Sequence, residues 1–398
     1  ALRCTEDAIW VLKKADRGGT KVGGRFNREN WREYIRRFNE NDEETTVQAV
    51  PNEKAEEWVE REVPFFDCPD PVLEETWYFR WWVFRKHIKD TGRGRIITEF
   101  LPRVPWAGPY NSINGANGHH IAEARWLKQD RNIVREYLAF WLRGEGQETS
   151  YSSWLADTVY QYALVSGEEA LAVDFLPELV SFYESVEASN LTKYGLFWSY
   201  DDRDAMELSI SGSGLRPTLN SYMYGNAAAI AVIAGWAEKE DIRELYNRKA
   251  NCLRDKILKV LWDEKQKFFK VIPQNKRNDE IKEFRFERFA EGRNVMEEIG
   301  YIPWNFSIPD ERHDAAWSYL KREDCFRAPW GITTAQRSSP LYRNTRSPHE
   351  CQWNGPVWPF ATTQTLNGMI RLLQEREPET VNKEDFYEQL SLYAHSHY

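Results

Sequence analysis

Residues 197–237 read FWSYDDRDAMELSISGSGLRPTLNSYMYGNAAAIAVIAGWA. The first half sets four carboxylates, Asp201, Asp202, Asp204 and Glu207, beside Trp198 and Tyr200, then runs through Ser211–Gly214 to Arg216-Pro217. Pro217 suits the first turn of a helix, where its missing N–H has no intrahelical partner to lose. That helix opens with Asn220, Tyr222 and Tyr224 and turns small and apolar at Ala227–Ala234. Small side chains let neighbouring helices approach closely, as the centre of a helical ring requires.

Working outward, the same alternation of helix and decorated loop recurs. Asp70-Pro71 supplies a helix start, and Leu73, Trp77, Trp81, Phe84 and Ile88 follow at helical spacing. Further helices are expected at 119–128, 130–143, 152–166, 168–187, 217–237, 239–262, 311–322, 357–376 and 383–396. Strand signals are sparse, with Phe268–Ile272 and Arg95–Phe100 the best of them. Long loops at 101–118, 198–216, 273–290 and 323–356 are rich in Gly, Pro, Asn, Ser and aromatics; connections of that length usually carry function. The pattern predicts an all-α chain, an (α/α)6 toroid of helical hairpins with its long loops gathered at one end. No close internal repeat is visible, which argues against a regular solenoid. Residues 1–70 are strongly charged, with one or two helices such as Glu53–Glu62, and read as a segment packing on a barrel formed by 71–398. The candidate helices fall short of a closed twelve-helix ring, so further carboxy-terminal elements are expected.

Composition narrows the function. The chain has 398 residues, 41% of them hydrophobic, and a formal net charge of −9 with both signs mixed along its length. Phosphate binding needs a basic surface, so nucleic acid is not expected as a partner. No apolar run approaches membrane-spanning length, and no amino-terminal stretch reads as a signal peptide. The chain opens at Ala1 without an initiator Met, so processing or truncation is expected. Five scattered cysteines, Cys4, Cys68, Cys252, Cys325 and Cys351, form no CxxC pair and no metal finger. Two sequons, at Asn190 and Asn305, tilt the location mildly toward secretion. The 18 tryptophans fit a core of large side chains, and they also fit platforms for the apolar faces of sugar rings.

Three loops carry groups suited to carbohydrate chemistry. Glycosidic cleavage needs a proton donor for the leaving oxygen and a second carboxylate to activate water or attack the sugar. Glu207, flanked by Met206 and Leu208, suits the donor, because apolar surroundings raise a carboxyl pKa; Asp204 stands close by. The opposing structural reading has these acids pairing with Arg203 and Arg216 or capping the next helix. A second loop, Phe100–His120, contains Trp106, Asn111, His119 and His120, residue types that stack on rings and bond hydroxyls. A third, His349–Pro359, places Glu350, Trp353, Asn354 and Trp358 around a Gly-Pro turn.

At these residues the chain resembles glycoside hydrolases of the α/α six-hairpin class, closest to family 63 and its mannosylglycerate-hydrolase-like and trehalase-like relatives. Trp353-Asn354-Gly355-Pro356-Val357-Trp358 is similar to the group's Tyr-Trp-Arg-Gly-Pro-Val-Trp motif. Ala205-Met206-Glu207-Leu208-Ser209 is similar to its Gly-Met-Asp-Asn-Ser segment, which implies that Glu207 is the general acid. The chain departs from the group at Asn354, where Arg is usual, at Glu207, where Asp is usual, and at Ala107, which follows Trp106 where relatives have Asp. The family's general base is a Glu of a later segment that would begin near Tyr398. The base is therefore expected beyond that residue, or Glu350 takes its place.

The expectation is an inverting exo-glycosidase on an α-linked sugar. Trp106, Trp353 and Trp358 form its walls, and Asn111, His119, His120, Arg216, Asn220 and Asn354 contact the substrate. It calls for no metal or organic cofactor and leaves the oligomeric state open. A lyase or epimerase working through His119, His120 and Tyr222 is the alternative, with a non-catalytic sugar-binding toroid the other.

Overall fold

The computed structural model of the protein describes residues 30–46, 48–281, 286, 293–345 and 351–398. The chain forms two compact units, one running to Glu148 and taking in Gln161–Ala172, the other holding Thr149–Tyr160 and Val173–Ser396.

In the first unit, helices α1 (Asn30–Glu40), α2 (Ala55–Glu62) and α3 (Pro71–Lys86) pack together. The α3 helix starts where the Asp70-Pro71 signal places it: Asp70 Oδ1 accepts from the Val72 and Leu73 amides at 3.0 and 3.3 Å. Its aromatic side chains form the core with those of its neighbours, Trp31 lying 6.4 Å from Tyr78 and Trp58 6.5 Å from Trp81. Arg85 is fully buried and donates to Gln48, the Val50 carbonyl and Asn52. A short hairpin follows, β1 (Ile88–Asp90) with β2 (Arg95–Ile97), so the strand expected over 95–100 stops at Ile97. Arg95 ties it to α5 (Asn132–Arg143) through Glu136, with α4 (Asn117–Ala124) between them in sequence.

The second unit is built on α9 (Pro217–Trp236), buried on nearly all sides; in sequence it follows α6 (Leu155–Ser166) and α7 (Glu169–Asp174), each divided between the units, and α8 (Leu176–Asn190). Pro217 occupies its first turn. Just ahead of the small residues Ala227–Ala234 the packing is tight: at Gly225 an added Cβ would run into the Phe306 ring. Asn226 accepts from the Ala156 amide at 3.0 Å and donates to the Ser153 carbonyl at 2.9 Å, fixing the entry to α6. Helices α8, α10 (Glu240–Lys256) and α11 (Ile302–Asn305) pack on α9, and α12 (Pro359–Glu375) joins α11 to α13 (Lys383–His395). The helix expected at 311–322 forms over Glu311–Lys321 as a 3₁₀ helix. Three two-residue strands make a small sheet, β3 (Trp198–Ser199), β4 (Gly214–Leu215) and β7 (Ile272–Pro273), while β5 (Trp262–Asp263) pairs with β6 (Phe268–Phe269). The strand signal at 268–272 thus splits between two sheets around Lys270, whose ammonium is buried on Asp263 and Gln266. No described helix is long and apolar enough to cross a membrane.

Candidate active site

Strands β3 and β4 are the two sides of a hairpin, Trp198 opposite Leu215 and Ser199 opposite Gly214, and the acidic segment is the loop between them. A 3₁₀ turn at Asp202–Asp204 ends on Ala205 with φ 57°, and Leu208 has φ 62°. Two left-handed residues therefore bracket Met206-Glu207. For side chains with a Cβ, each such conformation costs on the order of 1–3 kcal/mol and persists only where the surroundings impose it.

The imposing group is Arg216, at the entry to α9. Its Nε donates to Asp204 Oδ2 at 2.6 Å, and both side chains are sealed from solvent. Its Nη1 donates to Ser209 Oγ at 3.0 Å and to the Gly212 carbonyl at 2.6 Å. Asp204 Oδ1 accepts in addition from Ser152 Oγ at 2.5 Å and Ser199 Oγ at 2.9 Å. Asn220 accepts from the Phe197 amide and donates to the Phe197 and Arg216 carbonyls, each at 2.8 Å. Asp204, a catalytic candidate from the sequence, and Arg216 and Asn220, expected to contact substrate, are thus committed to internal bonds that fix the turn.

Glu207 is half-buried beside this frame, and its main-chain carbonyl accepts from the Trp353 amide at 3.0 Å. The two motifs singled out in the sequence meet at that bond. Trp353 is buried, and Trp358 lies parallel to it with ring centres 4.9 Å apart and planes 5° from parallel. The turn joining them is compressed: an added Cβ at Gly355 would collide with the Arg343 carbonyl. Trp358 Nε1 donates to the Gln352 carbonyl at 2.8 Å, and Phe360 stands edge-on to Trp353. Trp154 closes the cluster against Phe360 and Tyr222. The Asn354 Oδ1 atom is buried without a hydrogen-bond partner. Burial raises the Tyr151 phenol pKa, and the nearby Glu207 charge adds to the rise. Glu350 lies outside the described residues.

Sequence reasoning passed over one carboxylate here. Glu297 is buried; its Oε1 accepts from the Ser211 amide at 3.4 Å, and its Oε2 has no partner. Desolvation raises its pKa, the Arg216 charge opposing the rise. Residues 294–298, Asn-Val-Met-Glu-Glu, show nothing that marks one acid as buried.

The remaining expected residues belong to the first unit. Trp106 is 57% exposed and edge-on to Phe100. Asn111 is buried at φ 59°, donating to the Phe100 and Pro102 carbonyls and accepting from the Val104 amide, so its amide closes the loop. Desolvation lowers His119 and His120 to about 3, which keeps both neutral. His120 Nδ1 lies 2.8 Å from the Tyr137 hydroxyl, and its Nε2 is 4.0 Å from Glu99. Glu99, not singled out from sequence, is raised to about 7 by desolvation.

A half-buried carboxylate on a turn held by internal hydrogen bonds, and joined through its main chain to a pair of stacked indoles, is suited to moving a proton. Among the described residues no cluster of His, Cys, Asp and Glu could hold a metal ion.

No curated protein matches the chain. A solved sialidase is similar, with 36% identity and a TM-score of 0.85 over 93% of this chain and 34% of that one. The chain thus spans about a third of that sialidase's length. The GH63 mannosylglycerate hydrolase from Thermus thermophilus, in complex with Tris and D-glycerate, shares the fold at 10% identity. Its TM-score is 0.52, covering 78% of this chain and 97% of that one. The mostly helical architecture is that of the (α/α)6 class. Residues 109–398, which include both the Glu207 turn and the tryptophan pair, match the mannosylglycerate hydrolase MGH1-like glycoside hydrolase domain, and the chain belongs to that family.

Proposed function

We propose that the domain is a glycosidase that removes a terminal α-linked sugar with inversion, with Glu207 as general acid. The observation that carries this reading is the Trp353–Glu207 main-chain bond, which joins the acid-bearing turn to the paired tryptophans. Glu207 protonates the leaving oxygen, and a second carboxylate activates water from the opposite ring face, the two standing about 6.5–9.5 Å apart. Glu350 is the candidate for that second group within the chain. Trp358, outermost of the indole pair, offers its face to the sugar, and Asn354 Oδ1 accepts from a hydroxyl. Asp204, Arg216 and Asn220 act indirectly by holding the turn. The match to the mannosylglycerate hydrolase MGH1-like domain favours a mannosyl substrate. The 36% identity to a sialidase favours a second reading, action on sialosides.

The test compares the wild type with Glu207→Gln on a panel of α- and β-glucosides, mannosides and sialosides, following the product anomer by NMR. We expect an inverted sugar from the wild type and a rate lower by about 10²–10⁴-fold in the variant. Full activity in Glu207→Gln removes the acid assignment. Release from sialosides alone selects the second reading.

A further inference from the structure

We propose that Glu297 is a positioning residue for the Glu207 turn: it anchors the loop at Ser211, while the buried Asp204–Arg216 pair holds it at Ser209 and Gly212. This rests on the glycosidase reading above and adds to it a residue acting at a distance from the sugar.

The anchoring is visible in the contacts. Glu297 accepts from the Ser211 amide, and Arg293, four residues earlier, donates from Nη2 to the Ser211 carbonyl at 2.9 Å. Ser211 Oγ donates back to the Arg293 carbonyl. Ile210 packs with Val295 and Ala335, and Glu297 itself bridges Ala335. The segment 293–297 therefore grips the far side of the loop, while Arg216 grips the near side at Ser209 and Gly212.

Charge counting assigns the proton. Of the two buried carboxylates, only Asp204 bonds the buried Arg216 cation, and an uncompensated buried charge is costly. Asp204 accepts three hydrogen bonds, from Arg216 and two serines, and so keeps the negative charge. Glu297 leaves one oxygen unpartnered, and burial raises its pKa despite the opposing Arg216 charge and the bonds from Ser211 and Ile210. The other charged groups near the cluster are Asp201, which acts on Arg216, Arg293 on Ser211, and the neighbouring Glu298, which burial also raises. Glu297 therefore clamps the loop as a neutral acid. Its ionisation at higher pH buries a second negative charge without an ion-pair partner, which destabilises the packing behind the loop.

Glu297→Gln and Glu297→Ala separate the possibilities. Glu297→Gln preserves the neutral shape; it keeps kcat and KM close to wild type at neutral pH and extends activity on the alkaline side. Glu297→Ala lowers kcat on the order of 10- to 10²-fold with KM little changed. Two readouts stand apart from turnover. Hydrogen exchange of the amides at 206–212 quickens in Glu297→Ala and not in Glu297→Gln. The melting temperature of Glu297→Gln gains on wild type as pH rises above 4.5, the ordinary glutamate value, because wild type alone must keep a proton there. A Gln variant as impaired as the Ala variant means that Glu297 works ionised, and exchange unchanged in the Ala variant removes the clamp; either overturns the proposal. Inactivity of the wild type on every glycoside defeats the glycosidase reading alone, and the exchange and melting data still decide whether Glu297 holds the turn.

Discussion

The loop closed by Asn111 and the loop that carries Glu207 both place non-glycine residues in the left-handed region, Asn111 at φ 59° in one, Ala205 and Leu208 at φ 57° and 62° in the other. In the first, the strained residue supplies the remedy: the Asn111 amide makes three bonds to the loop's own backbone. Asparagine tolerates that conformation because its short polar side chain bonds locally. In the second, Ala205 and Leu208 have no polar group to offer, and Arg216 does the holding from the next helix. The resemblance described above sharpens the contrast, since the related motif has Gly and Asn at these same two positions, the residues best suited to φ > 0. Here the conformation is kept by residues that disfavour it. A loop fixed by its own amide is locally robust, whereas a loop fixed by a distant buried cation depends on packing elsewhere.

That contrast can be broken experimentally. Arg216→Met should have the largest effect, a loss of about 4 kcal/mol in urea unfolding, because it strands the buried Asp204 charge. Asn111→Ala should cost about 2–3 kcal/mol, the sum of its lost bonds. If the alanine variant proves the more destabilised, the distinction between distant and local holding is wrong.

Glu99, at the edge of the first loop, gives a smaller effect that depends on pH. Its carboxyl titrates at about 7 in the folded protein against 4.5 ordinarily. The raised value means that its contribution is fully present below 4.5 and is lost as pH rises to about 7. Melting curves of wild type should decline across that window relative to Glu99→Gln by the equivalent of about 2 kcal/mol, a figure reduced for its partial exposure. A parallel pair of curves would show that Glu99 is ionised throughout. The smallest effect is a gain: Ala205→Gly should stabilise by about 0.5–1 kcal/mol, relief of left-handed strain outweighing added chain entropy. A loss of stability there would mean that the Ala205 methyl packs more favourably than its backbone is strained.

Local signals were readable in the sequence where a single residue type decides the outcome. Asp70-Pro71 and Pro217 start helices as expected, and the small residues of α9 lie in its buried interior. The meeting of the 205–209 and 353–358 motifs was legible only through resemblance, because a main-chain bond between Trp353 and Glu207 leaves no mark on either segment. Arg216 and Asn220 looked like hydroxyl contacts because their side chains are polar. Which donors are consumed internally depends on the β3–β4 hairpin folding back on α9, and no spacing rule encodes that. Glu297 escaped notice for the converse reason. Its charge reads as surface, and only the three-dimensional packing against Ser211 and Ala335 makes it buried. The division into two compact units, with α6 beginning in one and ending in the other, is likewise a property of contacts rather than of composition.

The parallel indoles of Trp353 and Trp358 have an optical consequence. Two aromatic chromophores 4.9 Å apart absorb and emit as a coupled pair rather than singly. A molecule settling on the outer ring changes the polarity on one side of the pair, and near-ultraviolet circular dichroism would register it without any label. With 18 tryptophans in the chain, the signal must be read as the difference between wild type and Trp358→Phe. The protein thus carries an intrinsic reporter at the wall where a sugar is expected to rest.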